Sequence, residues 1–245
     1  MRESRALITG SAKRVGRAIA LELASAGCAV AVHYRQSKRD AEGVVAEIQA
    51  AGSRAVSVCG DLNCPADWPR IIDEAADGLG GLDFLVNNAS LFLTKKPDTI
   101  DQFSLQQWDD MLRVNLTAPA ALCHHARPHL GASGRGRIIN MSDISALRPW
   151  KNHVAYCVSK AALDALTKAL ATALAPDITV NGIALGVAVF PDEYPPTLRD
   201  SIIRRVPMQR ESTPEEVARF VRMMLESDNY LTGQTIPFDG GRSVV

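Results

Sequence analysis

Hydrophobic and polar positions follow two different periods along this chain. Short apolar or β-branched runs lie at Ala6 to Thr9, Ala29 to His33, Ala55 to Val58, Leu82 to Val86, Arg137 to Asn140, Ile178 to Ile183 and Thr235 to Phe238. Between them, apolar residues return every three or four positions over 15–26, 38–51, 66–77, 105–127, 153–175 and 214–226, the period of amphipathic helices. Strand and helix therefore alternate almost throughout. That order predicts parallel strands joined by right-handed crossovers, in a doubly wound α/β sheet covered on both faces. No repeat, low-complexity run or linker divides the chain, so a single domain is expected. The least regular stretch, Leu185 to Pro196, is rich in Gly and Pro. It falls where such a fold places a substrate lid over the carboxyl ends of its strands.

Composition narrows the partners. With 245 residues, 47% apolar and 22% charged, the chain is long enough to bury a substantial core. Lys+Arg and Asp+Glu both number 27, so no overall field points to nucleic acid or a membrane surface, and small molecules are the expected partners. The first apolar run starts within a few residues of Met1 and nothing approaches the length of a membrane span, which predicts a cytoplasmic protein. Five cysteines, at 28, 59, 64, 123 and 157, form no Cys-x-x-Cys pair and are expected to be thiols in a reducing compartment. His125 and His129 could share a helical face, but no acidic or Cys partner is near and Pro128 interrupts the segment, so no metal site is expected.

Candidate chemistry begins at Gly10-Ser11-Ala12-Lys13-Arg14-Val15-Gly16, between the first strand and the first helix. Backbone N–H groups and a helix N-terminus there suit a pyrophosphate. Dinucleotide loops usually carry three glycines, and here Arg14 stands where the middle one is expected. The second strand ends in His33-Tyr34-Arg35-Gln36-Ser37-Lys38-Arg39, with no acidic residue for a ribose 2′-hydroxyl. This cationic, hydroxyl-bearing end favours the 2′-phosphate of NADPH, and Lys13 is a second candidate for it. Tyr156 and Lys160, four apart on a helix, share a face. An ammonium so placed could bring the phenol from its usual pKa of about 10 toward working range as a proton donor.

Thr9-Gly10-x-x-x-x-x-Gly16, Asp61-Leu62, Asn87-Asn88-Ala89, Asn115, Tyr156-x-x-x-Lys160 and Asp239-Gly240-Gly241 stand in the order and spacing of the short-chain dehydrogenase/reductase family, which the chain resembles over nearly its whole length. The resemblance implies a Rossmann-type sheet of about seven strands, a nicotinamide cofactor and a homotetramer. It divides the domain into a cofactor half, about 1–140, and a catalytic and substrate-loop half, about 141–245. It also implies that Asp61 and Leu62 contact adenine, that Asn88, Ala89 and Ser90 line the cofactor cleft, that Asn115 orders a proton relay, and that Lys160 holds the nicotinamide ribose and tunes Tyr156.

Two departures point to one branch. The family's serine thirteen residues before the tyrosine is here Asp143, with Ser142 beside it, and Arg14 occupies the glycine loop. Together with His33-Tyr34, Ser90, Phe92 and Asn140-Met141-Ser142-Asp143, these resemble the pteridine reductases and their bacterial dihydromonapterin and dihydrofolate reductase relatives. The implied roles are Phe92 stacking a pterin ring, Asp192 to Pro196 forming the substrate loop, and Arg14 joining cofactor to substrate. Gln36 in place of an arginine and Leu185-Gly186 in place of Pro-Gly depart from that branch. An aspartate accepts hydrogen bonds where serine donates, which suits the N–H edge of a pterin and not a ketone oxygen. The expected reaction is NADPH-dependent reduction of a pteridine C=N bond, in an unconjugated pterin such as dihydrobiopterin or dihydromonapterin, or in dihydrofolate, to the tetrahydro form. A carbonyl reductase of the same family is the nearest alternative, and a non-catalytic dinucleotide sensor the alternative of another class.

Overall fold

The computed structural model describes residues 1, 3–93, 99–191, 193–226 and 230–245. Its centre is one parallel seven-stranded sheet in the order β3-β2-β1-β4-β5-β6-β7. The strands are β1 (Arg5–Ile8), β2 (Ala29–Tyr34), β3 (Ala55–Cys59), β4 (Phe84–Asn87), β5 (Gly136–Asp143), β6 (Ile178–Leu185) and β7 (Thr235–Phe238). The order reverses on either side of β1, which leaves a crevice between the carboxyl ends of β1 and β4, where open α/β sheets take their ligands.

The pleat sends alternate residues to opposite faces, and both faces are buried. Ala6 and Ile8 of β1, with Val30 and Val32 of β2, pack beneath α1 (Arg14–Ser25), α2 (Lys38–Ala50) and α8 (Pro214–Glu226). Leu7, Ala31 and Leu85 face the other way, against α3 (Asp67–Leu79), α5 (Ala118–Ala132) and the carboxyl end of α6 (Val154–Leu174). This two-sided burial explains why the strands read as continuous apolar runs.

Several boundaries differ from the sequence reading. The single helix expected over 105–127 is α4 (Leu105–Leu112), a π-helical turn over Arg113–Thr117, and α5. Apolar spacing does not reveal one wide turn in an otherwise helical run. Pro128 does not interrupt α5; it and His124 are exposed, so water can serve the carbonyl that proline leaves without a donor. After the irregular stretch that follows β6 comes a short helix that periodicity did not reveal, α7 (Pro196–Ile203). The division expected near residue 140 falls inside β5, whose register with β4 and β6 is unbroken. Among the described residues, no helix is long and apolar enough to cross a membrane.

Candidate active site

The glycine loop turns immediately after β1. Gly10 takes φ +64°, and a Cβ there would lie 3.1 Å from Ala89. Gly16 lets α1 approach the turn: its Cβ would lie 2.6 Å from the Asn88 amide nitrogen. The Thr9 hydroxyl accepts the N–H groups of Asn88 and Ala89, both at 2.9 Å, while the Asn88 amide donates to the Thr9 carbonyl at 2.8 Å. Asn88 and Ala89 thus hold the loops after β1 and β4 together at the crevice. No capping side chain and no acidic residue occupies the first turn of α1, which leaves its N–H donors available to an anion. That donor set fits the pyrophosphate of a dinucleotide.

Arg14 has φ +53°. A side chain in this left-handed conformation costs roughly 1–2 kcal/mol relative to glycine, so the position is one that glycine would fill without strain. Its guanidinium crosses the cleft and donates to the carbonyls of Val189 at 2.8 Å and Phe190 at 3.3 Å. Arg14 therefore ties the glycine loop to the irregular stretch after β6, and both line the same cavity.

The end of β2 is less cationic than its sequence suggests. His33 is 2% exposed; its Nδ1 accepts the Gly10 N–H at 3.0 Å and its Nε2 lies 3.2 Å from the Gly60 carbonyl. Burial drives its pKa down to about 4, so it shapes the glycine loop as a neutral ring and presents no cation. Lys13 is paired with Asp40 at 3.1 Å, and Arg35 lies 3.9 Å from Asp61. Tyr34 ends β2, Ser37 precedes α2 without capping it by its side chain, and Lys38 and Arg39 follow. Asp61 also accepts the Asn63 N–H at 2.9 Å, and Leu62 is buried beneath. Because His33 binds protons more weakly folded than unfolded, stability is full above about pH 6.5 and falls as pH drops toward 4. The loss is expected to reach about 3 kcal/mol, and denaturant titration of His33→Gln should show this slope removed.

The reactive cluster lies at the carboxyl end of β5. Tyr156, three residues into α6, donates to Asp143 Oδ2 at 3.1 Å, and Asp143 Oδ1 accepts the Ser145 N–H at 2.7 Å. Asp143 and not Ser142 lines the cleft; the Ser142 hydroxyl is buried, as strand alternation requires. Lys160 donates to the Met141 carbonyl at 2.8 Å and stands 5.7 Å from the centre of the Tyr156 ring. Burial lowers its pKa to about 8 despite the opposing charges of Asp143 and Asp164. Tyr156 is not brought down by the ammonium. Burial first, then the charge of Asp143, raise the phenol well above its usual value, which keeps it in the proton-donating form. Burial likewise raises the Asp143 carboxyl, against the Ser145 N–H and the Lys160 charge.

Asn115, in the π-helical turn, is 1% exposed. Its Oδ1 accepts the Leu91 N–H at 2.7 Å and lies 3.2 Å from the Ser90 hydroxyl, while its amide donates to Ser159 at 3.0 Å. It fixes Ser90 on the cleft wall and reaches α6 one residue before Lys160. Phe92 packs 4.8 Å from both Tyr156 and His153, and Trp150 stacks on Tyr156 at 6.0 Å. Trp150 escaped the sequence reading because its loop has no periodicity, and His153 because it stands at the start of α6, where apolar spacing says nothing of a cleft. The cleft enclosed by these groups has a volume of about 760 Å³. Asp192 lies outside the described residues; Tyr194 and Phe190 line the cleft, and Arg199 holds their loop through the Tyr194 and Pro191 carbonyls. A larger depression, about 980 Å³ around Arg5 and Gly80, lies at the opposite end of the sheet, away from these groups.

Residues 10–243 match the family model described as Enoyl-(Acyl carrier protein) reductase. The chain is 33% identical to the 3-oxoacyl-(acyl-carrier-protein) reductase FabG of Staphylococcus aureus, over 96% of each chain. Among solved structures it is similar to the FolM alternative dihydrofolate reductase 1 of Brucella canis complexed with NADP, at 34% identity and a TM-score of 0.90, covering 99% of this chain and 95% of that one. A short-chain dehydrogenase from Burkholderia cenocepacia in complex with NADP gives 33% identity and a TM-score of 0.90, covering 98% of both.

Proposed function

From the premise that the chain belongs to the short-chain dehydrogenase/reductase family, we propose that it is an NADPH-dependent reductase of a pteridine C=N bond. The observation that carries this reading is Asp143 within hydrogen-bond distance of Tyr156 in the cleft. Relatives of comparable similarity include a 3-oxoacyl reductase and a dihydrofolate reductase, so the substrate must be argued from the site.

A ketone-reducing site needs donors aimed at the carbonyl oxygen. Here the position beside Tyr156 holds a carboxylate, an acceptor when ionised. It suits the amino and ring N–H groups on the edge of a dihydropterin or dihydrofolate. The aromatic wall of Phe92, Trp150 and Tyr156 matches a flat ring system. When bound, NADPH supplies the hydride to the ring carbon. Tyr156, held protonated, gives its proton to the adjacent ring nitrogen; Asp143 orients the phenol and accepts from the substrate edge. Lys160 and Asn115 keep the relay in place from α6 and the π-helical turn. The α1 N-terminus, Gly10, Gly16 and Val15 bound the pyrophosphate site. Ser90 lines the cleft, and Asn88 and Ala89 would flank the cofactor beside it. Asp61 and Leu62 would hold the adenine, and Lys13, Arg35 and Ser37 the 2′-phosphate. Arg14 holds the substrate loop against the glycine loop. A homotetramer belongs to the same reading.

NADPH oxidation followed in parallel with dihydrobiopterin, dihydromonapterin, dihydrofolate and a panel of ketones tests it. Turnover of a pteridine is expected to exceed that of every ketone. Activity confined to ketones or acyl thioesters would overturn the pteridine reading in favour of a carbonyl reductase, and cofactor binding without any turnover would favour a sensor.

A further inference from the structure

Beyond Trp150 the cleft opens into a side cavity of about 410 Å³. Pro149, Trp150, Arg205 and Arg242 line both spaces, and Arg148 lines the side cavity alone. Three arginines therefore line one small volume beside the reacting groups. Among the described residues none of the three is ion-paired; Arg148 donates to the Arg242 carbonyl at 3.1 Å, which pins the two together. The nearby carboxylates are engaged elsewhere. Asp143 accepts from Tyr156 and Ser145, and Asp239 accepts the N–H groups of Gly241 and Ser243 at 2.9 and 2.6 Å. Val245 also lines the side cavity without an ion pair to any of the three. Burial holds the Arg242 guanidinium below its ordinary value, and the like charges of Arg205 and Arg148 add to this against Asp143 and Asp239.

Arg148 and Arg205 are exposed and Arg242 is half-buried; three like charges lining one space repel one another, burial adds to the cost at Arg242, and an anion relieves both. Guanidinium forks match carboxylate and phosphate oxygens bidentately. We propose that this side cavity is an anion subsite, which takes the carboxylate or phosphate borne on an arm of the substrate while the reducible group lies at Tyr156. The inference rests on the cleft being the substrate site of a reductase, and it deepens that reading: the preferred substrate carries a negatively charged arm.

The test compares members of two pairs that differ in this charge: dihydrofolate against dihydrobiopterin, and acetoacetyl-coenzyme A against ethyl acetoacetate. For each pair, binding to the NADP-loaded protein by calorimetry and kcat/KM are measured in the native chain, Arg205→Gln, Arg242→Gln, Arg205→Glu and Arg205→Lys. The native protein is expected to favour the anionic member. Each Gln variant should lower the anionic-to-neutral ratio by roughly ten- to a hundredfold. Arg205→Glu should lower it further, Arg205→Lys should retain part of it, and raised salt should erode it. A purely structural role would depress both members alike. Equal losses, an unchanged ratio, or no binding of either anionic compound below millimolar concentration would overturn the subsite. Reaction of the ketone pair alone would remove the pteridine reading, yet its ratio still decides whether the arginines read charge.

Discussion

Tyr156→Phe is expected to lower kcat by about 10²- to 10⁴-fold, the range for removal of a positioned general acid, while NADPH binding and folding persist. The substitution deletes only the hydroxyl. The ring keeps its packing 4.8 Å from Phe92 and its stacking on Trp150, so no cavity forms. What is lost is the proton that burial and Asp143 hold on the oxygen well above the usual phenol range, together with the hydrogen bond to Asp143. Single-turnover absorbance at saturating NADPH and substrate reads the chemical step, and calorimetry with NADPH reads the cofactor site. Loss of less than tenfold would mean that Tyr156 is not the donor, and would shift that role to a water molecule on Asp143. The same variant separates proton delivery from substrate stacking, since the aromatic wall is unchanged.

Most of the framework that places Tyr156 is legible from periodicity. Seven apolar runs and their helices follow from local rules, because each parallel strand is buried on both faces and each helix on one. Asn115 shows where such rules stop. Its side chain is aimed by a single wide turn, and a helical pattern of apolar residues looks the same with or without it. The reading of His33 erred for a different reason. The sequence shows a histidine beside Arg35 and Lys38, whereas the fold buries its ring between Gly10 and Gly60, and burial decides its charge. Likewise, Lys160 lies four residues from Tyr156 as expected, but its ammonium is engaged by the Met141 carbonyl and does not bring the phenol down. Arg148, Arg205 and Arg242 are distributed over three loops or helix ends, and only the tertiary fold gathers them. Charge, accessibility and the company a side chain keeps are properties of the whole chain, so they are the features that local spacing misses.

Asp143→Ser should move specificity from pteridine toward ketone, with the ratio of their kcat/KM values shifting by about a hundredfold, the size expected when a charged hydrogen-bond partner is exchanged. In the native site the carboxylate reaches both the Tyr156 hydroxyl and the Ser145 N–H. A serine at the same strand position has one short oxygen and cannot span that pair, so the phenol is released from its anionic neighbour. The phenol's pKa then falls because one of the two main causes raising it is gone. A serine O–H can now donate to a carbonyl oxygen, which the carboxylate could only repel. The pterin loses the acceptor for its N–H edge, and those groups are left facing a donor. Asp143→Asn separates charge from shape: it keeps the size and one acceptor oxygen, so it should impair the pteridine less than serine does, while still removing the charge beside Tyr156. Measuring both variants on dihydropterin, dihydrofolate and ketone, with thermal unfolding as a check on the fold, distinguishes these contributions. A ratio that stays fixed, or that moves toward the pteridine, would show that residue 143 does not select the substrate. The choice between the two reductions would then rest on Phe92 and the loop that Arg14 holds in place.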